Sequence, residues 1–341
     1  MIDAEPLKQF GRRIGIEIRL TPVFALNPEI RRMMEQSREN LFLNPASWTR
    51  SEIEKFCDPR TVIPQAKSAI TACLNYLTPD EPDPSRPGKP YGLVARYTRR
   101  NYYRELRRRL RQVGQFVKKE YGGDAAVYAN GPFAEKPLAR RSGIGFYGKH
   151  SIIINPRFGS WCVLGEGVTD IEFEPDRPLT RSCGRCRKCI DACPTGAIIR
   201  PYVIDRRICI QALTNWLGVI PGKISRVWSN RIYGCTTCQE VCPKNEGLKP
   251  VKPETEIGVV GQWLSIPDIL VMKEEAYRAR YSNNQMSAGW INFPAIRRNC
   301  LIALGNARDT KTLPIVNKFL KDQNPMLAAT ARWAKRRIQR G

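Results

Sequence analysis

The stretch that decides the organisation of this chain reads Ser182-Cys183-Gly184-Arg185-Cys186-Arg187-Lys188-Cys189-Ile190-Asp191-Ala192-Cys193-Pro194-Thr195-Gly196-Ala197. Its spacing is C-x2-C-x2-C-x3-C-P, in which three thiolates hold one [4Fe–4S] cluster and the fourth reaches a second cluster. The proline after the last thiolate fixes φ and turns the chain away from the cluster. The stretch therefore predicts two iron–sulfur clusters.

A second run, Cys235-Thr236-Thr237-Cys238-Gln239-Glu240-Val241-Cys242-Pro243, has the same spacing, but Ile232 occupies the place of its first cysteine. A cubane held by thiolates needs four ligands, and Cys209 is the only other cysteine between the two runs. We therefore predict a crossed pairing. One cluster is held by Cys183, Cys186, Cys189 and Cys242, and the other by Cys193, Cys209, Cys235 and Cys238.

Zinc and disulfides are the alternatives for these cysteines. Zinc sites close with four N or S ligands and do not call for Cys-Pro after a third thiolate. A disulfide framework is typical of small secreted domains in an oxidising compartment. Both alternatives fit two matching cluster runs less well. The cysteines outside the runs are expected to be buried structural thiols: Cys57, Cys73, Cys162 and Cys300.

The charge balance indicates a polyanionic partner. Among 341 residues, Lys and Arg number 56 against 32 Asp and Glu, a formal net charge of +24 that thiolate-ligated clusters reduce only slightly. Nucleic acid is the leading candidate and an anionic membrane surface the weaker one. No apolar run approaches the roughly eighteen residues of a membrane span, and no secretion signal is visible. With many cysteines, this pattern favours a reducing cytoplasm and no membrane association.

The chain is expected to form three units: an α/β module at residues 1–175, a ferredoxin-like double-cluster module at 176–250 and a helical, HEAT-like region at 251–341. In the first unit helices are predicted from Asn27 to Glu39 and from Ser47 to Cys57. Strands are predicted over residues 69–77, 92–97, 125–128, 151–155 and 161–164. This alternation of helices and strands indicates an α+β or α/β sheet.

Two regions of helix carry basic surfaces. A helix over residues 101–121 has an apolar face and a mostly basic opposite face with little acid nearby. Such a face is either solvated or contacts nucleic acid. At the C-terminal end, Pro294 and Pro325 open similar Ala- and Arg-rich helices, with a third helix from about Leu313 to Lys321. This spacing indicates a HEAT-type helix pair and part of the next.

With these pieces in order, the chain resembles the cobalamin-dependent epoxyqueuosine reductases, relatives of the reductive dehalogenases. The resemblance covers roughly residues 50–340 and is carried by residues 64–68, 95–97, 143–151, 158–160, 183–197, 207–210 and 230–235. It is strongest through the cysteine runs, where the displaced ligand Cys209 matches the family pattern.

The resemblance implies an activity, a substrate and a cofactor. The family reduces epoxyqueuosine in a tRNA anticodon to queuosine, using electrons that two clusters pass to cobalamin from a low-potential electron donor. The first unit would be the cobalamin and substrate module. Residues expected to line the cobalamin pocket are Tyr97, Lys149, His150, Ile153, Leu164 and Ile210.

One departure from the family concerns the proton donor. The family has an aspartate three residues before the proline that matches Pro132, and this chain has Ala129 there. A tyrosine is a plausible substitute, and the sequence does not choose among Tyr97, Tyr102, Tyr103 and Tyr128. The departure leaves two further interpretations open: a changed substrate, or a two-cluster electron-transfer protein without substrate chemistry.

Overall fold

The computed structural model describes residues 1–44, 46 and 48–340. Its helices are α1 (Glu5–Arg13), α2 (Asn27–Arg38), α3 (Arg50–Phe56), α4 (Tyr102–Tyr121), α5 (Glu135–Arg141), α6 (Lys188–Asp191), α7 (Ile210–Leu213), α8 (Gly222–Arg226), α9 (Thr237–Glu240), α10 (Ile266–Val271), α11 (Glu274–Arg280), α12 (Phe293–Ala307), α13 (Leu313–Asn317) and α14 (Pro325–Gln339). Its strands are β1 (Glu17–Pro22), β2 (Ser68–Asn75), β3 (Tyr91–Val94), β4 (Ala125–Tyr128), β5 (Phe146–Tyr147), β6 (Ile153–Ile154), β7 (Cys162–Thr169), β8 (Ile198–Arg200), β9 (Val203–Ile204), β10 (Arg231–Tyr233) and β11 (Trp263–Ser265). Within the described part of the chain, no helix combines the length and apolarity needed to cross a bilayer.

A four-stranded sheet in the order β1-β2-β7-β4 forms the centre of the N-terminal part. Every neighbouring pair in it is antiparallel. The two inner strands, β2 and β7, are buried along their whole length, as expected for strands covered on both faces. Of the two predicted classes, α+β describes this sheet and α/β does not, because long connections return each strand antiparallel to its neighbour.

The helix predicted over residues 101–121 is confirmed as α4. The Asn101 side chain caps it by accepting a hydrogen bond from the amide of Arg104 at 3.0 Å, and Gly122 ends it with φ of 70°. The aliphatic residues of the apolar face of α4 are fully buried in the cluster against the sheet, and its tyrosines are partly buried. The predicted helix from Asn27 is confirmed as α2. Ser47, the predicted start of the next helix, lies outside the described residues.

The basic face of α4 has more acidic neighbours than its sequence indicates. Arg108 and Arg109 both donate to the carboxylate of Glu105, each at 2.7 Å. Arg107 donates to the carbonyl oxygen of Ala129 at 3.1 Å. The expectation of little nearby acid is therefore wrong, and only part of this face is available to an outside partner.

A second sheet, in the order β10-β3-β11, joins strands that are distant in sequence. Its strands come from all three of the predicted residue ranges. β3 pairs in parallel with β10 and antiparallel with β11. Folding of the second sheet therefore requires the cysteine-rich segment and the C-terminal part to assemble on the N-terminal part.

Arg298 and Asn299 on α12 attach the C-terminal helices to the loop at residues 213–218. The Arg298 guanidinium is fully buried and donates to the carbonyl oxygens of Leu213 at 2.7 Å and Gly218 at 3.0 Å. The Asn299 amide donates to the carbonyl oxygens of Thr214 and Ile232, both at 2.8 Å. These bonds satisfy backbone acceptors that α12 would otherwise bury unpaired.

Candidate active site between the sheet and the cysteine loops

Two adjoining cavities lie between the central sheet and the cysteine-rich loops. The first, of about 280 Å³, is bounded on one side by the start of β7 and on the other by the thiols of Cys193, Cys209, Cys235 and Cys238. The second, of about 410 Å³, extends from it toward α2 and α3. Residues shared by the two linings are Glu135, Lys136, Ser151, Ile204, Cys209 and Gln211. A ligand that filled both would contact the sheet and a cysteine group together.

Thiols from the two cysteine runs and Cys209 lie close to one another. Burial and, to a smaller extent, the thiols of Cys183, Cys242 and Cys186 together raise the pKa of Cys189 to about 11. Burial also raises the pKa of Cys209, and Cys235 and Cys193 add to that shift. Mutual influence of this kind requires short distances between the thiols.

Backbone amides point at these sulfur atoms. The amide of Ala197 donates to the sulfur of Cys193 at 3.2 Å, and those of Ala212 and Gln211 donate to Cys209. Hydrogen bonds of this type stabilise thiolates and tune the potential of an iron–sulfur cluster. Among the described residues, no three His, Cys, Asp or Glu side chains surround a single metal ion; a cubane spreads its four thiolates around a larger core.

Five of the six residues predicted to line the cobalamin pocket line the first cavity: Tyr97, His150, Ile153, Leu164 and Ile210. Lys149 is not in this lining. Its ammonium donates to the carbonyl oxygens of Gly184 at 2.7 Å and Cys186 at 2.8 Å. The structure thus gives Lys149 a role in holding the loop of the first cysteine run.

His150 is buried beside the first cavity and is uncharged at neutral pH. Burial lowers its pKa to about 4, and the charge of Lys136 contributes to the same shift. Its Nδ1 accepts a hydrogen bond from the amide of Ile152 at 3.2 Å, so the proton resides on Nε2. Nε2 is buried without a partner among the described residues. This tautomer donates a hydrogen bond, and does not suit a metal ligand.

Two of the four candidate tyrosines lie at the first cavity. Tyr97 and Tyr103 line it, together with Tyr76, which the sequence analysis did not single out. Tyr102 is buried within the apolar cluster under α4. Tyr128 packs edge-on against Phe133, with ring centroids 5.9 Å apart.

The carboxyl groups of Glu135 and Glu166 lie next to the loop that carries Ala129. Ala129 itself is fully buried in the apolar cluster under α4 and lines neither cavity. Glu135 lines both cavities. Its carboxyl group lies within hydrogen-bonding range of Glu166, a fully buried residue on β7. Sequence analysis identified neither glutamate as part of the site.

Comparison with protein families supports both halves of this site. Residues 182–245 match the family described as a 4Fe-4S double cluster binding domain, so this segment is an iron–sulfur domain. Residues 57–129 match the family described as Epoxyqueuosine reductase QueG, DUF1730. An epoxyqueuosine reductase from Bacillus cereus is 32% identical, over 99% of this chain and 90% of its own length.

Solved structures extend the likeness to the whole fold. An epoxyqueuosine reductase bound to an epoxyqueuosine-modified tRNA-Tyr stem loop has a TM-score of 0.89 at 29% identity, covering 98% of this chain and 89% of that one. A Bacillus subtilis epoxyqueuosine reductase, captured with its catalytic aspartate loop swung out of the active site, has a TM-score of 0.89 at 30% identity, covering 98% and 90%. The chain is 32% identical to the Bacillus cereus enzyme over nearly its full length, and it has a double-cluster domain beside the cavity. It therefore belongs to the epoxyqueuosine reductase family.

Proposed function

We propose that this chain is a cobalamin-dependent reductase that converts epoxyqueuosine in tRNA to queuosine. The observation that carries the proposal is the cavity whose wall combines the predicted cobalamin-pocket residues with the thiols of a cysteine group. The reaction takes two electrons and two protons, breaks both C–O bonds of the epoxide, forms a C=C bond and releases the oxygen as water. Bound cobalamin would supply a low-valent cobalt centre that acts on the epoxide.

For the clusters, we assign Cys183, Cys186, Cys189 and Cys242 to one and Cys193, Cys209, Cys235 and Cys238 to the other. Support comes from the spacing of the cysteine runs, from the proximity of Cys189 to Cys183, Cys186 and Cys242, and from the amide hydrogen bonds to the sulfurs of Cys193 and Cys209. Thiols of the second set line the cavity, so the second cluster would be the last carrier before cobalt. A low-potential donor would reduce the first.

For the cofactor, we assign Tyr97, His150, Ile153, Leu164 and Ile210 to the cobalamin pocket. The aliphatic members offer an apolar wall for a corrin face. The unpartnered Nε2–H of His150 offers a donor to an amide carbonyl on the corrin rim.

For the domains, we propose a sheet module for cobalamin and substrate at residues 1–175, a double-cluster module at 176–250 and a HEAT-like helical region at 251–341. We place the enzyme in the cytoplasm, where tRNA and reduced thiols occur.

For tRNA, we propose that the last helix contributes phosphate contacts. Burial lowers the pKa of Arg337 on α14, and the neighbouring charges of Arg308 and Arg226 lower it further. Guanidinium groups from three segments therefore lie close together and make this surface positive. A phosphate backbone would neutralise that charge. Arg332 and Arg336 lie exposed on the same helix.

Charge reversal on α14 tests this surface. We expect Arg332→Glu with Arg336→Glu to weaken binding of a tRNA stem loop and to flatten its salt dependence. The log–log slope should fall by roughly 0.7 to 0.9 for each lost phosphate contact. Binding is measured by anisotropy over a range of KCl concentrations.

The matched control is Lys118→Glu with Lys119→Glu, which changes the same charge at the far end of α4. On a helix rising 1.5 Å per residue, Lys118 lies roughly 22 Å from the cavity residue Tyr103. The control should bind with a nearly unchanged slope. Equal effects of the two double variants would contradict a specific surface on α14 and indicate only a general attraction of charge.

Position 129 provides a second test. We expect Ala129→Asp to destabilise the fold without raising turnover, because its carboxylate would enter the apolar cluster under α4. An unpaired buried charge costs on the order of several kcal/mol. The control is Ala129→Asn, which has the same shape and no acid function. Higher turnover in the aspartate variant than in wild type would show that the loop brings this position to the substrate.

A two-cluster electron-transfer protein without substrate chemistry is the second candidate. The absence of an acid at position 129 favours it. It predicts that protein holding both clusters reduces a partner but never changes epoxyqueuosine. Turnover of a modified stem loop distinguishes the two candidates.

A further inference from the structure

The proposed reaction needs a proton for the oxygen that leaves, and the structure places one carboxyl group where it can provide it. Among the acidic side chains of the described residues, Glu135 is the one that lines both cavities and also contacts a second carboxyl group. One edge of Glu135 is accessible from the cavity, while its Oε2 is buried and has no hydrogen-bond partner within the part of the chain that the structure describes.

The loop at residues 129–131 holds the two carboxyl groups together. The amide of Gly131 donates to Oε1 of Glu166 at 3.0 Å, and the amide of Asn130 donates to Glu135. Asn130 has a φ of 57°. A Cβ at Gly131 would lie 2.5 Å from Oε1 of Glu166, so only glycine permits this approach. The loop that carries an acid in relatives here orients two acids from other elements.

Two buried carboxylates this close cannot both be charged. Burial raises the pKa of Glu166 well above its usual range, and Glu135 raises it further. Burial also raises the pKa of Glu135, and the charge of Lys136 and a hydrogen bond from Glu166 offset part of that rise. The pair therefore keeps a shared proton at a pH where isolated carboxyl groups have lost theirs.

The cavity tyrosines are less suitable acids. Burial raises the pKa of Tyr97 and of Tyr103 well above the usual tyrosine value, which is already far above neutral. A general acid works best when its pKa is near the working pH. Burial shifts a carboxyl group toward that pH and a tyrosine away from it.

We propose that Glu135, sharing a proton with Glu166, is the catalytic acid that protonates the epoxide oxygen as it leaves. The inference rests on the proposed function and adds its proton donor. Glu135 transfers its proton to the leaving oxygen, and the two electrons that reduce the two carbons would come from the low-potential donor, by way of the bound clusters and cobalamin. The second proton and the reprotonation of the pair come from solvent through the cavity.

The charged and titratable groups around the pair set its behaviour. Lys136 lines the same cavity, and burial lowers its pKa; its charge opposes retention of the shared proton. Arg107 on α4 acts on Glu166 in the same direction. Tyr103 faces Glu135 from the N-terminal turn of α4. Burial of both carboxyl groups, and the charge of Glu135 acting on Glu166, oppose these cations.

The first test is kinetic, with enzyme holding both clusters and cobalamin. We expect Glu135→Gln to lower turnover of an epoxyqueuosine stem loop by about a hundred- to ten-thousandfold, while stem-loop binding and cluster spectra stay unchanged. Glu135→Asp should recover part of the loss. Tyr103→Phe and Lys136→Met should retain more activity than Glu135→Gln. The exposed Glu174→Gln is the matched control.

The pH profile separates the two carboxyl groups. Wild-type turnover should fall as pH rises through the pKa of the pair. Glu166→Gln leaves Glu135 as the one acid of the pair, and the pKa of Glu135 is raised less than that of Glu166, so the decline moves to lower pH. Glu135→Gln should lose the decline and keep only the low residual rate.

Infrared spectroscopy tests the shared proton without cobalamin or substrate. Wild-type protein with both clusters should show the C=O stretch of a protonated carboxyl group at neutral pH, shifted in D2O. Because burial alone raises the pKa of Glu166, Glu135→Gln should keep a band at a shifted frequency, and the band of Glu166→Gln, which belongs to Glu135, should titrate at lower pH than that of the wild type. If Glu135→Gln does not fold, the wild-type and Glu166→Gln spectra still decide the point.

Each outcome is decisive. Full activity of Glu135→Gln in an enzyme whose wild type is active overturns the donor role and leaves the proposed function intact. Loss of activity in Tyr103→Phe alone gives the role to that tyrosine and also overturns it, as does the absence of the infrared band. A wild type without turnover overturns the substrate and the donor role together.

Discussion

Cys209→Ser is expected to remove one of the two clusters and to reduce turnover to background. Cys209 lies between the two cysteine runs, at the N-terminus of α7, and its thiol faces those of Cys235 and Cys193. Its loss leaves the second cubane with three thiolates. Because that cluster is the proposed last carrier before cobalt, the substrate receives no electrons even if the first cluster is intact.

The measurement is iron and acid-labile sulfide on anaerobically reconstituted protein, with EPR of the reduced state. Wild type should hold about eight irons and the variant about four, as two cubanes and one require. Cys57→Ala is the control, because Cys57 is buried in the apolar cluster around α3, away from the cysteine runs. Full iron and an unchanged EPR spectrum in Cys209→Ser would contradict the crossed assignment.

Arg298→Met is expected to destabilise the whole chain more than any surface change. Burial lowers the pKa of Arg298 to about 9, which leaves the group charged at neutral pH. Carbonyl oxygens of the loop at residues 213–218 satisfy that charge. Methionine would leave these acceptors buried and unpaired, each at about 1–3 kcal/mol. We expect a total loss of about 3 kcal/mol or more in the free energy of unfolding.

Chemical denaturation of cluster-loaded protein under anaerobic conditions checks this result. The control is Arg336→Met, which removes an exposed guanidinium from α14 and should change stability by no more than about 0.5 kcal/mol. Arg298→Lys keeps the charge but not the planar fork, so it should lie between the two. Equal stability of Arg298→Met and Arg336→Met would contradict the role assigned to the buried arginine.

Local sequence signals predicted the local elements well. The helix at α4 follows from its apolar spacing, the Asn101 cap and Gly122, and β4 has the bounds that its sequence indicates. Five of the residues that the family resemblance assigns to a cobalamin pocket line one cavity, and their contact with cobalamin stays a prediction. Each of these predictions depends on a pattern within about twenty residues or on a motif with fixed spacing.

What the sequence did not reveal depends on contacts between distant segments. The antiparallel order of the central sheet follows from the pairing of β2 with β7, whose residues are far apart along the chain. Acidic partners of the basic face of α4 include Glu254, from another region. The ammonium of Lys149 contacts a cysteine loop, and no spacing rule links it to that loop.

Glu135 and Glu166 illustrate the same limit at the site. Glu135 sits at the start of a short helix and Glu166 within a buried strand, and neither belongs to a recognisable motif. A glutamate in the middle of an otherwise apolar and small-residue strand was the one available signal, since buried carboxylates are rare without a partner. Its partner could be identified only from the fold.

Turnover of a modified stem loop decides whether this cavity reduces epoxyqueuosine in tRNA. Protein reconstituted anaerobically with iron, sulfide and cobalamin is given a low-potential reductant and an epoxyqueuosine-containing stem loop, and the nucleosides are analysed by mass spectrometry. The wild-type protein should produce queuosine, which is one oxygen atom lighter than the starting nucleoside, and Cys209→Ser should produce none. Binding of cobalamin and of the stem loop with no loss of oxygen in wild type would contradict it.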